Sequence, residues 1–379
     1  MASMSPSTSV SFVLSPLFLV LALLAAASLF LYRRLASLSQ PALSNPTCTS
    51  KHMTISEIYV YPIKSLRPTQ VSTAVATRKG FQYDRSFMIL EVIDGGASYK
   101  NMAVSNYPKM TQFLTHIILP EDHSNAKGSI MVEFIASKQG QSTTLEVPLQ
   151  PETHNLETFE ITMHRSSTKA YKMPAEYNSW FSSCFGYDVV LAYLGDNHRD
   201  CLFDEMLPTK NSSWISKISR TASLLGPSSP GEKITFADCA PYLVVTQTSL
   251  AAVSSILPEN EVMDVTKFRP NIVIKGAETA WEEDFWGKIK INDAEIIMKH
   301  NCARCKSINI DYSTGSPGTG PGGEVLKKMQ KDRRVDPGSK YSPIFGRYSF
   351  WNPKIEPKVL SVGDKVSVVQ VGNSDNRNF

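Results

Sequence analysis

An uncharged apolar segment near the N-terminus constrains this chain more than any other feature of its sequence. Residues 9–32 are apolar apart from a few serines and contain no Asp, Glu, Lys or Arg. As an α-helix, this segment would extend roughly 36 Å at ~1.5 Å per residue, more than the about 30 Å of a bilayer core. The sequence therefore predicts an N-terminal transmembrane helix.

The residues that flank this segment bear on the choice between a retained anchor and a cleaved secretory signal. A cleaved signal usually has an apolar region of about 7–15 residues behind a basic start, whereas residues 1–8 contain no Lys or Arg. Arg33 and Arg34 instead follow the segment, and positive residues tend to stay on the cytoplasmic side of a membrane. We therefore expect a retained anchor over residues 1–34, with the rest of the chain facing the cytosol. A cleaved signal remains the alternative.

Changes in composition divide the rest of the chain. Residues 35–52 are rich in Ser, Thr, Pro and Ala, which is typical of a flexible tether. A polar stretch over residues 196–233 contains several Pro, Ser and Gly residues, as linkers do. We therefore predict one folded domain over residues 53–200, a second over residues 201–372, and a short tail over residues 373–379.

Short apolar runs bounded by turn residues recur in both predicted domains and indicate β-strands. We expect strands over residues 55–63, 71–75, 86–92, 242–246, 272–276, 288–292 and 294–299, and a closing hairpin from residues 358–364 and 366–371. Helices are expected only over residues 174–185 and 248–257. Many short strands with few helices favour a β-rich α+β protein with a β-barrel core.

Charge and cysteine usage narrow the class of protein further. The net charge of +4 is spread along the chain rather than gathered in blocks, so nucleic acid is not an expected partner. The six cysteines are too few and too unevenly spaced for a disulfide scaffold. We therefore expect the folded part to face a reducing compartment.

Cys302 and Cys305 form the only local cysteine pair. A zinc site would need a second ligand pair, and no Cys or His follows in the sequence. Residues 306–311 look strand-like, and on a strand the odd spacing would place the two thiols on opposite faces, so only one is expected to bind a metal. Arg304 beside Cys305 would favour the thiolate that a soft metal prefers. An inert buried pair remains the alternative from these residues alone.

Basic residues recur at predicted turns next to strands. Lys64 with Ser65, Arg85 and Arg269 all occupy such positions. Each alone is typical of a protein surface. Together at one end of a barrel, their charges and the neighbouring backbone N–H groups could hold a phosphate.

Five short motifs occur in one order along the chain. They are Tyr61-Pro62-Ile63-Lys64-Ser65, Asp84-Arg85-Ser86-Phe87-Met88, Phe268-Arg269-Pro270-Asn271-Ile272-Val273, Arg304-Cys305 and Phe345-Gly346-Arg347-Tyr348. In this order they resemble the MOSC family, named for the C-terminal domain of molybdenum-cofactor sulfurase, preceded by its N-terminal β-barrel domain. With the predicted anchor, the resemblance is to its branch of mitochondrial amidoxime-reducing components. It covers residues 53–371 and the anchor.

The resemblance implies a molybdenum-pterin cofactor (Mo-molybdopterin) in the groove between two barrel domains. Cys305 would be the catalytic metal ligand, and Asp238 would handle protons as a second catalytic residue, although a turn residue is the alternative interpretation of Asp238. The cofactor-binding residues would be Lys64, Ser65, Arg85, Arg269, Asn271, Ala303, Arg304 and Tyr348.

The same resemblance implies an activity and its partners. The enzyme would reduce N-hydroxylated compounds such as amidoximes, with electrons from cytochrome b-five and its NADH-dependent reductase. Its membrane would be the outer mitochondrial membrane. Two other functions remain open: a sulfur carrier with a persulfide on Cys305, and a non-enzymatic membrane scaffold.

Three positions depart from the pattern of the animal members. Cys239 and Ala240 stand where those proteins typically have Thr and Ser, and Ala303 stands where they have Ser. Hydroxyl contacts to the cofactor from these positions are therefore absent, and only backbone contacts are expected there.

Overall fold

The fold is taken from a computed structural model that describes residues 52–120, 128–135, 142–201, 231–259 and 261–372. The predicted anchor, the tether before His52 and the tail over residues 373–379 lie outside these ranges. In the described part of the chain, no helix is long and apolar enough to cross a membrane.

Short β-strands make up most of the described structure. The strands are β1 (Met53–Val60), β2 (Thr69–Val71), β3 (Thr73–Thr77), β4 (Gly80–Phe81), β5 (Phe87–Ile93), β6 (Ser98–Asn101), β7 (Phe113–Ile118), β8 (Ser129–Ile135), β9 (Ser142–Pro148), β10 (Thr158–Met163), β11 (Ser166–Lys172), β12 (Val189–Tyr193), β13 (Arg199–Asp200), β14 (Lys233–Ile234), β15 (Tyr242–Thr246), β16 (Ile272–Lys275), β17 (Trp286–Ile291), β18 (Ala294–Ala303), β19 (Ile310–Asp311), β20 (Ser316–Pro317), β21 (Ile344–Trp351), β22 (Lys358–Ser361) and β23 (Lys365–Val371). The helices are α1 (Ala175–Phe185), α2 (Gln247–Ser254) and α3 (Val325–Asp332). The prediction of a β-rich α+β protein is confirmed.

Seven of these strands close into a barrel. Each hydrogen-bonds to the next in the order β1, β16, β15, β21, β18, β17, β23 and back to β1. β15 and β16 run parallel, and the other neighbours run antiparallel. β1 comes from the start of the described chain and the other six strands from residues 242–371, so the barrel joins its two ends.

The barrel closes around alternating apolar side chains. Ile55, Ile274, Ile289, Ile296 and Trp351 are each no more than 1% exposed and belong to one apolar cluster. Alternate residues of a strand face the same side of a sheet, so one side of each strand fills the interior. Each fully buried side chain of this size contributes about 1.5–3 kcal/mol to folding.

A five-stranded sheet organises the other half of the structure. Its order is β10, β11, β12, β5 and β6. On β5, Phe87 and Ile89 pack into one apolar cluster with α1, whereas Met88 and Leu90 pack into another on the opposite face. Burial on both faces explains why the first four residues of β5 are all apolar. The helix predicted over residues 174–185 is confirmed as α1, which ends at Gly186 with a left-handed φ of +86°.

Two predictions about the C-terminal third are wrong. β22 pairs with β3, and β23 pairs with β17 and β1, so these strands form no hairpin with each other. A tight turn at Gly363, with a φ of +95°, passes the chain between the two sheets. Lys306–Asn309 is a 3₁₀ turn rather than a strand. Ile308 and Ile310 pack into two different apolar clusters. On an extended strand, residues two apart would point to the same face.

Candidate active site

Residues from the end of the barrel and from a turn of the first half line one cleft of about 130 Å³. A cavity volume of about 10–15 Å³ holds one water molecule. The cleft is therefore large enough for a small organic group. Eight of the ten residues proposed from the sequence line it, namely Arg85, Asp238, Arg269, Asn271, Ala303, Arg304, Cys305 and Tyr348.

The other two proposed residues lie beside the cleft. The ammonium group of Lys64 contacts the carboxylate of Asp238 and donates to the carbonyl oxygen of Phe236 at 3.0 Å. Ser65 instead donates its hydroxyl to the carbonyl oxygen of Met102 at 3.2 Å. A ligand contact from Ser65 would therefore use its backbone or require that hydroxyl to turn.

Left-handed turns carry three of the proposed residues. Ser65, Arg85 and Arg269 have φ values of +71°, +51° and +57°. This conformation costs a non-glycine residue roughly 1–2 kcal/mol, so the surrounding structure must hold it. The backbone of Arg85 is held on both sides, since its N–H donates to Tyr61 and its carbonyl accepts from Phe236 at 3.0 Å. Strained turns of this kind cluster at functional sites.

Tyr61 lies between the two arginines of the cleft. The guanidinium carbons of Arg85 and Arg269 are each 4.4 Å from the centroid of its ring. Such cation–π contacts stabilise a cation over an aromatic face. Arg85 also contacts the buried carboxylate of Asp84, which accepts a hydrogen bond from the backbone N–H of Tyr61 at 2.8 Å. Both guanidinium groups are therefore held in place without a ligand.

Asn271 fixes this arrangement to the barrel. Its amide oxygen accepts from Arg85 at 3.1 Å and from the backbone N–H of Leu243 at 3.2 Å. Its amide nitrogen donates to Tyr59 and Asp84, each at 3.2 Å. These four bonds use the full capacity of the amide, so the Asn271 side chain positions Arg85 rather than offering a free group.

Three buried polar groups near the cleft have no hydrogen-bond partner among the described residues. They are Nη2 of Arg269, Nε of Arg304 and the hydroxyl of Tyr61. Leaving a buried polar group unpaired costs about 1–3 kcal/mol. Two unpaired guanidinium N–H groups fit an anionic ligand rich in acceptor oxygens and nitrogens, as a pterin phosphate is.

Arg304 makes its hydrogen bonds to groups other than the Cys305 thiol. Its Nη1 donates to Sγ of Cys302 at 2.6 Å and its Nη2 to the carbonyl oxygen of Phe268 at 2.5 Å. The expectation that Arg304 favours a Cys305 thiolate stays a prediction, since the two groups still interact through their charges. The guanidinium donates its hydrogen bond to Cys302 rather than to Cys305. The physical reason is the period of two along the end of β18, which places residues 302 and 304 on one face and residue 305 on the other.

The two thiols of the pair lie in different surroundings. Cys302 is 2% exposed, whereas Cys305 is exposed, lines the cleft and has its Sγ 3.2 Å from Oγ of Ser307. The described residues contain no group of three or more His, Cys, Asp or Glu side chains that could hold a metal. The cofactor implied by the sequence resemblance would bring most of the metal's ligands itself and would require one from the protein. A single thiolate beside a cofactor's own sulfur atoms meets that requirement.

Asp238 is a charged acceptor on the cleft wall. Its Oδ1 contacts Nζ of Lys64 and lies 3.3 Å from Nε2 of His164. The protein around the Asp238 carboxyl would by itself raise its pKa, but Lys64 and His164 outweigh this effect and hold the pKa well below its usual range. Burial lowers the pKa of Lys64, and Asp238 partly offsets that effect.

Two buried groups near Asp238 keep their protons near pH 7. Burial raises the pKa of the Cys239 thiol to about 12, with Asp238 adding to the effect. Burial also raises the pKa of Tyr348 well above its usual value, as do the nearby Cys302 and Cys239. Cys239 and Tyr348 are therefore protonated.

Several residues of the site escaped the sequence interpretation. Tyr61 and Asp84 stand inside the quoted motifs beside Lys64 and Arg85, so their positions were available even though their roles were not. No separate role was predicted for Cys302, whose Sγ accepts a hydrogen bond from Arg304. His164 belongs to no motif and reaches Asp238 from 74 residues away, so no local pattern could have found it.

Comparison with known proteins bears on the same residues. Two family models match the chain, the MOSC N-terminal beta barrel domain over residues 52–188 and the MOSC domain over residues 231–367. Mitochondrial amidoxime-reducing component 1 of Homo sapiens is 33% identical over 83% of this chain and 82% of its own. Mitochondrial amidoxime reducing component 2 of Macaca fascicularis is 25% identical over 78% of each chain. Molybdenum cofactor sulfurase of Arabidopsis thaliana is 25% identical over 69% of this chain and 29% of its own.

Proposed function

Since this chain belongs to the MOSC family, in the branch of the mitochondrial amidoxime-reducing components, we propose that it is a molybdenum-cofactor-dependent reductase of N-hydroxylated compounds such as amidoximes. The names of its relatives support a molybdenum-related enzyme. The substrate class is the part that we infer for this chain.

One observation carries the proposal. The exposed thiol of Cys305 lines the same cleft as Arg269 and Arg304. Each arginine has a buried N–H that no described residue accepts. The thiol suits a soft metal, and the unpaired N–H groups suit the anionic pterin that would hold it.

The residues of the cleft divide the work of holding the cofactor. Arg269 and Arg304 would donate to its phosphate and ring acceptors, Arg85 would add positive charge, and Cys305 would supply the one protein ligand to molybdenum. Ala303 would contribute backbone contacts, and Tyr348 would close one side. When bound, the cofactor supplies a metal that changes its oxidation state by two electrons.

The protein must supply protons to this chemistry. Reduction of an N–OH group to N–H consumes two electrons and two protons and releases water. Asp238 lines the cleft with more than half of its side chain exposed, so its carboxylate is placed to receive a proton and pass it on. The electrons would come from cytochrome b-five and its NADH-dependent reductase.

The location and the domain division belong to the same proposal. Residues 1–34 would anchor the protein in the outer mitochondrial membrane, with the tether and the folded domains over residues 53–200 and 201–372 on the cytosolic side. The mitochondrial names of the relatives support this location.

The test is the composition and activity of the purified full-length protein in detergent. We expect it to contain molybdenum and pterin together and to reduce benzamidoxime to benzamidine with NADH, the reductase and cytochrome b-five. Omitting cytochrome b-five is the control for the electron path.

Two other outcomes would replace the proposal. A persulfide on Cys305 without bound molybdenum would indicate a sulfur carrier, which the exposure of Cys305 and the similarity to the sulfurase also accommodate. Protein that binds neither metal nor pterin would indicate a scaffold, and it would leave the unpaired arginine N–H groups unexplained.

A further inference from the structure

A β-hairpin from the first half of the chain touches the cleft with its tip. β10 and β11 are paired up to Met163 and Ser166, so His164 and Arg165 form the two-residue turn between them. Both have left-handed φ values, +49° and +65°. Such turns match the twist of a hairpin but favour Asn and Gly. A His at this strained position therefore needs an explanation beyond the turn itself.

The side chain of His164 connects the cleft to solvent. Its Nε2 lies 3.3 Å from Oδ1 of Asp238, and its side chain is 43% exposed. One end of the imidazole therefore contacts the carboxylate while the rest remains accessible to water. Imidazole can take up and release protons in the physiological pH range through its two nitrogens.

A buried arginine fixes the distance between His164 and Asp238. Arg199 is 1% exposed, and its Nη1 donates to the carbonyl oxygen of Met163 at 2.9 Å. Its Nη2 donates to the carbonyl oxygen of Ala237. Met163 and Ala237 immediately precede His164 and Asp238, so one planar guanidinium holds the two segments together. The contact between His164 and Asp238 is therefore built into the fold.

The carboxylate of Asp238 has one held oxygen and one free oxygen. Lys64 and His164 both contact Oδ1. No described residue donates a hydrogen bond to Oδ2, and the Asp238 side chain is 57% exposed where it lines the cleft. Asp238 therefore contacts His164 with one oxygen and leaves the other available to a substrate.

We propose that His164 is the entry point of a proton path that runs from solvent through Asp238 into the cleft. This inference rests on the proposed function, because reduction of N–OH to N–H requires protons. For each turnover the balance is R₂N–OH + 2 e⁻ + 2 H⁺ → R₂N–H + H₂O, with both electrons from the external haem protein.

The proton transfer proceeds through these two groups in order. In each step an N–H bond of the protonated imidazole breaks as an O–H bond forms on Asp238. Asp238 then gives the proton to the departing oxygen or to the nitrogen of the substrate, and the imidazole is reprotonated from water. His164 touches no substrate and acts through Asp238, so it is a relay and positioning residue.

The variant that tests this path is His164→Gln, with His116→Gln as the matched control. His116 is an exposed histidine on β7, outside the cleft. Full-length proteins are compared for molybdenum and pterin content, thermal midpoint and benzamidoxime turnover from pH 6 to 8.5. We expect His164→Gln to keep its cofactor and thermal midpoint but to lose turnover on the order of tenfold. Removal of a direct proton donor costs more, roughly 10²–10⁴-fold.

The pH profile separates a relay from a structural contact. If the imidazole of His164 relays protons, the dependence of turnover on pH should differ in shape between the wild type and His164→Gln. A merely structural contact would leave the two profiles parallel. Asp238 contacts His164, Lys64 contacts the same Asp238 oxygen, Arg199 donates to the preceding residue Met163, and Arg165 is the next residue. All four charged groups are kept in the variant. Since glycine suits the φ of +49°, His164→Gly should recover turnover when imidazole is added.

A readout independent of turnover tests the contact itself. In the protein without cofactor, the imidazole nitrogen resonances of His164 should move in Asp238→Asn, and those of His116 should not. If the wild type is active but His164→Gln matches it in turnover and pH profile, the relay is overturned and the proposed function stands. If the wild type lacks molybdenum and activity, the proposed function itself fails.

Discussion

At the scale of single residues, the site depends on which face of a strand each side chain occupies. Arg304 shares a face with Cys302 and donates to its sulfur, while Cys305 turns into the cleft. The guanidinium therefore serves two structural acceptors, Cys302 and Phe268, and keeps Nε for a ligand. Cys305 receives no hydrogen bond from Arg304 in the described structure, and its attraction for a metal rests on exposure, on the nearby positive charge and on sulfur chemistry.

The unpaired N–H of Arg269 leads to a prediction about cofactor occupancy. Arg269→Ala removes a charge-assisted hydrogen bond of about 1.5–3 kcal/mol, so we expect the pterin to bind roughly 10- to 150-fold more weakly. The thermal midpoint should fall only slightly, because in the described structure the Arg269 side chain donates one hydrogen bond, to the carbonyl oxygen of Leu66, beside its contact with the Tyr61 ring. Pterin content after purification and thermal melting measure the two effects.

Arg334→Ala is the matched control for this prediction. The Arg334 side chain is exposed and donates to the carbonyl oxygen of Gln330, away from the cleft. If Arg269→Ala retains as much pterin as Arg334→Ala, Arg269 is an ordinary structural arginine and the ligand lies elsewhere.

At the scale of elements, local patterns were predicted well and pairing partners were not. Helix α1 follows Pro174 and ends at Gly186. Both residues commonly mark helix ends, so the sequence was enough to predict these bounds. The pairing of β22 with β3 joins segments almost 300 residues apart. Neither segment contains a local pattern that identifies its pairing partner. The 3₁₀ turn after Cys305 was missed because residues 307–311 alternate between polar and apolar, a pattern that also fits a strand.

A buried carboxyl at the start of helix α2 gives a prediction about stability and pH. Glu283 is 0% exposed and accepts from Ser249 at 2.8 Å and from Thr246 at 3.2 Å, and Thr246 is the residue that caps α2. Burial, with Asp284 adding to it, raises the pKa of Glu283 to about 7. The folded protein therefore holds this proton between pH 4.5 and 7, where the unfolded chain has lost it.

The sign of the effect follows from this difference. The stabilisation is fully present below about pH 4.5 and is lost as the pH rises to about 7, a change on the order of 3 kcal/mol. Glu283→Gln cannot ionise, so the difference in free energy of unfolding between pH 5.5 and pH 8 should shrink. Urea unfolding at both values measures it, with the exposed Glu324→Gln as control. An unchanged difference in Glu283→Gln would show that another group titrates.

At the scale of the whole molecule, the barrel brings distant segments to one end. Lys64 and Asp238 are 174 residues apart in sequence and in direct contact. The motifs in the sequence identified most residues of the cleft because each marks a turn at a strand end. The sequence could not show that the Asn271 amide makes all four of its hydrogen bonds within the protein. It also could not show that the tip of the β10–β11 hairpin contacts Asp238. Those facts depend on how the two halves pack.

The predicted anchor gives a test of the location of the molecule. Deleting residues 1–34 should leave an active enzyme that no longer sediments with membranes, because the 24-residue apolar segment has been removed. Protease added to intact mitochondria should digest the folded part of the full-length protein. Complete protection from protease would contradict the assigned orientation, and continued sedimentation of the truncated protein would contradict the anchor.

The most direct test of the central claim compares the two thiols of the cleft. Molybdenum content and benzamidoxime turnover are measured for Cys305→Ser and Cys302→Ser. A serine hydroxyl is a poor substitute for a thiolate on a soft metal, so Cys305→Ser should lose turnover completely and most of its molybdenum. Cys302→Ser should keep most of both, because its hydroxyl can still accept the hydrogen bond of Arg304. An active Cys305→Ser beside an inactive Cys302→Ser would show that the metal ligand has been assigned to the wrong cysteine.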